Sequence, residues 1–247
     1  MAQLDTEVWG QGTSVVLVHG SLDLGPEAWL GLRPLADEGY RVVVVNRSGY
    51  GGSPNGHGED YLKDASDLVD LLDEPAHLVG HSYGALATLF AAAERPESVL
   101  SLTVIEPPAF AIRSADPEVA ALLARMNDLS AQTGLSDREF LEAFFAVVGV
   151  PTDEVPSEMM DAFVKRVPLL RHGRRAWEAE PPLARLSSHG LPVLVVSGGH
   201  HEAFEAVCDE LVQQLDARKV TITGAGHEVP MMADELSREL LAFWRSL

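Results

Sequence analysis

Residues Ala76–Ala93 read AHLVGHSYGALATLFAAA, and this stretch decides the reading of the chain. An apolar run ends at Gly80, Ser82 stands in the centre of Gly80-His81-Ser82-Tyr83-Gly84, and a segment rich in small residues follows at once. Strand, sharp turn and helix in immediate succession form the context in which G-x-S-x-G lifts a serine hydroxyl above the edge of a sheet. The two glycines flank Ser82 at two positions on either side, where a Cβ would press on the neighbouring strand or helix. Ala85 and Ala87 extend that close approach. The turn sets Ser82 at a helix N-terminus, where free N–H groups and the helix dipole favour developing negative charge.

Outward from this stretch, continuous β-branched runs alternate with helical periodicity. Val15–Val18, Val42–Val45, His77–Gly80, Val99–Ile105, Val193–Ser197 and Lys219–Ile222 read as strands, and Leu4–Trp9 as a short one. Runs without polar alternation suit strands buried on both faces. Pro26–Glu38, Glu59–Leu72, Phe204–Leu215 and Ala233–Leu247 read as helices between them. The expected fold class is α/β, a mostly parallel, doubly wound sheet covered on both faces. From Ala109 to Ser188 the periodicity is helical only, with helices expected over Pro117–Leu129, Asp137–Val148, Asp153–Val167 and Leu169–Ala179. Such a block is too long for a loop between a strand and a helix. The expected division is therefore a core of residues 1–108 and 189–247 with a helical cap, 109–188, inserted into it.

A serine hydroxyl needs a base. His227, in Gly224-Ala225-Gly226-His227 just after the last strand, reaches the same sheet edge as Ser82 and is the expected base. Oxyanion donors are expected from the backbone N–H groups of Tyr83, next after the serine, and Ser21, after His19-Gly20. His200-His201-Glu202 lacks the spacing of a helical zinc motif, so no metal is expected.

His19-Gly20, the Asn46-Arg47-Ser48-Gly49-Tyr50-Gly51-Gly52-Ser53 loop, the serine pentapeptide, the helical insertion and Gly224-Ala225-Gly226-His227 occur in an order that resembles the α/β-hydrolase fold superfamily, over nearly the whole chain from Val15. The resemblance implies a Ser–acid–His triad and no cofactor. It departs from pattern at the acid. After Val193–Ser197, where most of the family carries aspartate, the chain has Gly198-Gly199-His200-His201-Glu202. Glu106, at the end of Val99–Ile105, stands where some branches place the acid and is the expected member; Glu202 is the alternative. Dehalogenase and epoxide hydrolase branches use a carboxylate where this chain has Ser82.

Together these features lead to an expectation of a serine hydrolase acting on an ester or lactone of a small, largely apolar substrate. The same site would also serve C–C, amide or thioester cleavage or a cofactor-free lyase, and a non-catalytic receptor is the remaining alternative. Substrate contacts are expected from His81, Trp29, Phe110, Phe144 and Met159. The net charge of −19 over 247 residues argues against nucleic acid and anionic membranes as partners. No apolar run is long enough to span a bilayer, and the opening MAQLDTEVWG lacks the basic and apolar regions of a signal peptide. A single cysteine, Cys208, excludes an internal disulfide and suits a reducing compartment, so the expected location is cytoplasmic, as a monomer or homodimer.

Overall fold

A computed structural model describes residues 4–54 and 56–247, so the first three residues of the acidic opening lie outside the described residues. Seven strands form one sheet: β1 (Thr6–Trp9), β2 (Thr13–Val18), β3 (Tyr40–Val45), β4 (Ala76–His81), β5 (Val99–Ile105), β6 (Val193–Ser197) and β7 (Arg218–Thr221). Their order is β1-β3-β2-β4-β5-β6-β7; β1 runs antiparallel to β3 and every other pair is parallel. The helices are α1 (Gly25–Ala28), α2 (Tyr61–Leu71), α3 (Tyr83–Glu94), α4 (Pro117–Ala131), α5 (Asp137–Val148), α6 (Ser157–Val164), α7 (Val167–His172), α8 (Leu183–Ser188), α9 (Glu202–Leu215) and α10 (Ala233–Trp244).

Strand side chains alternate between faces, and the apolar runs divide accordingly. Val16 and Val18 of β2, Leu78 of β4, Val104 of β5 and Val195 of β6 join one core, with Ala65 and Leu68 of α2, Ala85 and Leu86 of α3, and Phe204 of α9. Val15 and Leu17 of β2, Val79 of β4, Ile105 of β5 and Val196 of β6 join the other, with Leu32, Leu35, Leu236 and Leu240. Burial on both faces explains the unbroken apolar strands. The strand order reverses direction at β2, and in a doubly wound sheet the crevice beyond the carboxyl ends of the strands at that point receives ligand. Ser82 follows β4, the neighbour of β2 there.

Prolines and a glycine redraw the expected helices. Pro26–Glu38 is only one short α-helix, α1, followed by a 3-10 segment from Leu30 to Glu38. Pro34 inside it cannot donate to the α-helical ladder and its ring clashes with the preceding turn. Asp153–Val167 is broken at Pro156, after which α6 starts. Leu169–Ala179 stops at Gly173, leaving α7 and a single 3-10 turn over Ala176–Glu178. Between β5 and β6 the described residues form helices and turns only. Phe140 and Phe145 of α5, Met126 of α4 and Trp177 are buried in a core continuous with that of α2 and α3. No helix among the described residues is long and apolar enough to cross a membrane.

Candidate active site

Ser82 sits at φ 50°, ψ −120°, a conformation non-glycine residues rarely adopt. Its N–H is held by the Ile105 carbonyl at 2.9 Å. The two flanking glycines are required by close approach. A Cβ at Gly80 would stand 2.6 Å from the Gly84 carbonyl oxygen and 2.7 Å from Ala85 Cα; one at Gly84 would stand 2.4 Å from the Val18 carbonyl oxygen. The strained turn is thus wedged between β4, α3 and the end of β2, and it holds Oγ at the head of α3.

Two further side chains converge there. The loop after β7 brings His227 Nε2 to 3.0 Å from Ser82 Oγ. Glu106, fully buried and itself at φ 50°, places Oε2 3.3 Å from His227 Nδ1. Its other oxygen, Oε1, accepts the Gly198 N–H at 2.6 Å, so the carboxylate is held from the backbone as well. Burial alone would push the His227 imidazole down. The hydrogen bond to Glu106 and the charges of Glu228 and Glu106 outweigh that and hold it above the usual histidine value. Glu202 lies elsewhere: it is the exposed first residue of α9, on an outer groove shared with Arg113 and Glu205.

The loop after β2 is held from below by an ion cluster that sequence reading did not single out. Arg47, buried, donates to the His19 carbonyl at 3.0 Å, to the Gly20 carbonyl at 2.9 Å, to Asp64 at 2.9 Å and to Glu59. Glu59 also accepts from Ser21 Oγ at 2.8 Å and from Tyr50 Oη at 2.7 Å, while Tyr50 Oη accepts the Leu22 N–H at 3.1 Å. The Leu22 amide is therefore engaged, and Ser21 is left facing the cleft beside Ser82 and Tyr83. Nothing near Glu59 in the chain signals this role; only the fold brings it under the loop.

The cleft over Ser82 measures about 30 Å³ and is lined by Phe110, Met126, Phe144, Leu170, Trp177 and Phe204, with Arg174 and Arg175 at its edge. Phe110 and Phe144 thus stand where expected. Three others do not. Trp29 is fully buried in the core on the other sheet face, with Leu17 and Val229, because α1 packs beneath the sheet. His81 turns under the elbow and donates from Nε2 to the His227 carbonyl at 2.9 Å, so it braces the loop that carries His227 rather than lining the cleft. Met159 is 44% exposed; starting α6 after Pro156 sends Met160 inward and its neighbour out. Met126 of α4 fills the methionine position in the cleft. His200 lies 3.4 Å from Glu106. Glu106, His200 and His227 bring three metal-ligating atoms within 4.8 Å of one another, as do His81, His227 and Glu228.

A family model described as "Alpha/beta hydrolase family" matches residues 15–239. A pimeloyl-[acyl-carrier protein] methyl ester esterase from Aeromonas hydrophila is 30% identical over 189 residues, covering 75% of this chain and 68% of that protein. A fluoroacetate dehalogenase from a Burkholderia species is 34% identical over 109 residues, 40% of this chain and 36% of that one. Among solved structures, MenH from S. aureus superposes with a TM-score of 0.76 at 17% identity, covering 98% of each chain, a likeness of fold. Motif order, sheet topology and these matches agree, and the chain belongs to the alpha/beta hydrolase family.

Proposed function

We propose that the protein is a serine esterase, cleaving a carboxylic ester or lactone of a small, largely apolar substrate through an acyl-enzyme on Ser82. The observation that carries this is the contact chain Ser82 Oγ–His227 Nε2 at 3.0 Å and His227 Nδ1–Glu106 Oε2 at 3.3 Å, with Glu106 fully buried. His227 with its proton on Nδ1 accepts the Ser82 proton at Nε2 as Oγ attacks the carbonyl carbon. The imidazolium then protonates the leaving alkoxide, and Glu106 stabilises that cation and holds the tautomer. The N–H groups of Ser21 and Tyr83 receive the oxyanion. Water, deprotonated by His227, releases the acid and restores Ser82.

Residues 109–188 act as the cap in this reading, and the aromatic wall of Phe110, Phe144 and Trp177 supports an apolar acyl group. The cleft of about 30 Å³ over Ser82 adjoins a second of about 80 Å³ that shares Met126, Phe144, Leu170, Arg175 and Trp177, and in this reading the cap helices part to admit substrate. The Aeromonas relative is a methyl ester esterase, which supports ester chemistry. A serine at the elbow, where dehalogenase branches carry a carboxylate, speaks against displacement of halide. A p-nitrophenyl ester series from acetate to decanoate tests the proposal. Wild type is expected to turn over one or more of these esters and Ser82→Ala none; a wild type inert on every ester would overturn it.

A further inference from the structure

We propose that Glu106, His200 and His227 also form a site for a divalent transition-metal ion, zinc first, whose binding switches the enzyme off. The site is read from geometry alone; only its effect on activity rests on His227 being the base. His200 Nε2 lies 3.0 Å from the Val148 carbonyl oxygen at the end of α5. A carbonyl only accepts, so Nε2 carries the proton and a neutral His200 presents its Nδ1 lone pair. That atom is buried, has no hydrogen-bond partner among the described residues, and lies 3.4 Å from Glu106 Oε2. Two acceptors held that close repel, and a cation between them removes the repulsion.

The third corner is His227 Nδ1, 3.3 Å from the same carboxylate oxygen. Ligand atoms about 2.0–2.1 Å from a tetrahedral zinc stand about 3.3 Å apart. The two recorded separations match that edge, and both are long for charge-assisted hydrogen bonds, which run about 2.7–2.9 Å. Two imidazoles and a carboxylate form a donor set suited to zinc. A ligating histidine usually donates its other N–H to a backbone carbonyl or carboxylate, and the His200–Val148 bond already supplies that support. The side chains of His200 and His227 are 11% and 9% exposed, and Glu106 is fully buried. In sequence, His200 and His201 are adjacent and lack zinc spacing. The fold completes the set with Glu106 from the end of β5 and His227 from the loop after β7.

Zinc taking the Nδ1 lone pair of His227 forces the ring's one proton from Nδ1 to Nε2. Nε2–H then points at Ser82 Oγ, the serine keeps its own proton, and no base is left to remove it. The metal dissociates to restore the active tautomer, and no oxidation is involved.

The test is calorimetric titration of ZnCl2, in a non-chelating buffer, into wild type and into Ser82→Ala, which keeps all three ligands. One ion per chain is expected in both. Affinity should fall at least about tenfold in His200→Asn and in Glu106→Gln, with circular dichroism confirming each variant is folded; His200→Gln replaces the first if it is not. His201→Asn and Glu228→Gln should bind as wild type does. Zinc should inhibit ester hydrolysis by wild type, a chelator should reverse this, and His200→Asn should need at least tenfold more zinc for half-inhibition relative to its own metal-free rate. Absence of binding by wild type, or binding lost in Glu228→Gln and kept in His200→Asn, overturns the proposal. Zinc binding with this pattern in a chain that hydrolyses no ester would leave the metal site standing and remove the esterase reading.

Discussion

Glu106 Oε2 lies 3.3 Å from Nδ1 of His227, although 121 residues separate the two in the chain. The contact joins the end of β5 to the loop beyond β7, and it puts a fully buried carboxylate behind the His227 imidazole. Glu106→Gln keeps the shape and removes the charge, allowing the amide to hold the wrong imidazole tautomer. The account expects kcat on a p-nitrophenyl ester to drop by roughly three to four decades. Glu202→Gln, at an exposed position on α9, should change it by less than about threefold. Steady-state kinetics on both variants checks this.

In the proposed mechanism His227 must be neutral to accept the Ser82 proton. His227 is held above the ordinary histidine value, its burial being outweighed by the hydrogen bond to Glu106 and the charges of Glu228 and Glu106. A raised value means the neutral form is lost earlier as pH falls. So kcat/KM, measured with a chelator present, should be on its plateau at alkaline pH and fall on the acid side with a midpoint above 6.5. Glu106→Gln should move the midpoint of the residual activity downward, since it removes a group that holds the proton on.

Glu59 ties Arg47, Tyr50 and the Ser21 hydroxyl together beneath the loop after β2, the proposed source of one oxyanion donor. Glu59→Ala leaves the fully buried Arg47 with Asp64 as its remaining carboxylate. Breaking one partner out of a buried ion cluster costs about 3–5 kcal/mol, and urea unfolding should show a loss of that size. The freed Ser21 should lower kcat further than it raises KM, because the oxyanion forms only on the way to the tetrahedral intermediate.

Gly84→Ala puts a methyl group 2.4 Å from the Val18 carbonyl oxygen and 2.5 Å from that of His19. Backbone cannot step aside as a flexible side chain does, so α3 must shift away from the end of β2. A loss of about 1–3 kcal/mol is expected from the overpacking, visible in a denaturant melt. Activity should fall by more than the unfolded fraction explains, since the same shift separates Tyr83 from Ser21.

The parts of this molecule legible in the sequence are those set by local constraint. Gly80 and Gly84 announce a tight turn at Ser82, and unbroken apolar runs in β2 and β3 announce strands buried on both sides. That His227 comes to lie beside Ser82 was legible because glycines precede it after a strand run, and that Glu106 lies beside His227 because it ends another. What stayed hidden depends on which face an element turns toward which neighbour. Trp29 is as apolar as Phe110, and nothing in its spacing says that α1 lies on the opposite sheet face. Met159 and Met126 differ only in the helix phase set by Pro156 and by the packing of α4. His200 acquires its meaning from a carboxylate on another strand, and Glu59 from Arg47 and Ser21, so neither carries a local signal. Pro34, Pro156 and Gly173 were visible breakers, and the expected helices ran through them because apolar periodicity continued on both sides.

The most direct test of the central claim is stoichiometric labelling by a fluorophosphonate, read by mass spectrometry of the peptide that carries the adduct. The account predicts one adduct per chain on Ser82 in wild type, none in Ser82→Ala, and labelling at least about a hundredfold slower in His227→Ala. A wild-type chain that stays unlabelled, or an adduct that persists in Ser82→Ala, would contradict the assignment of Ser82 as the nucleophile.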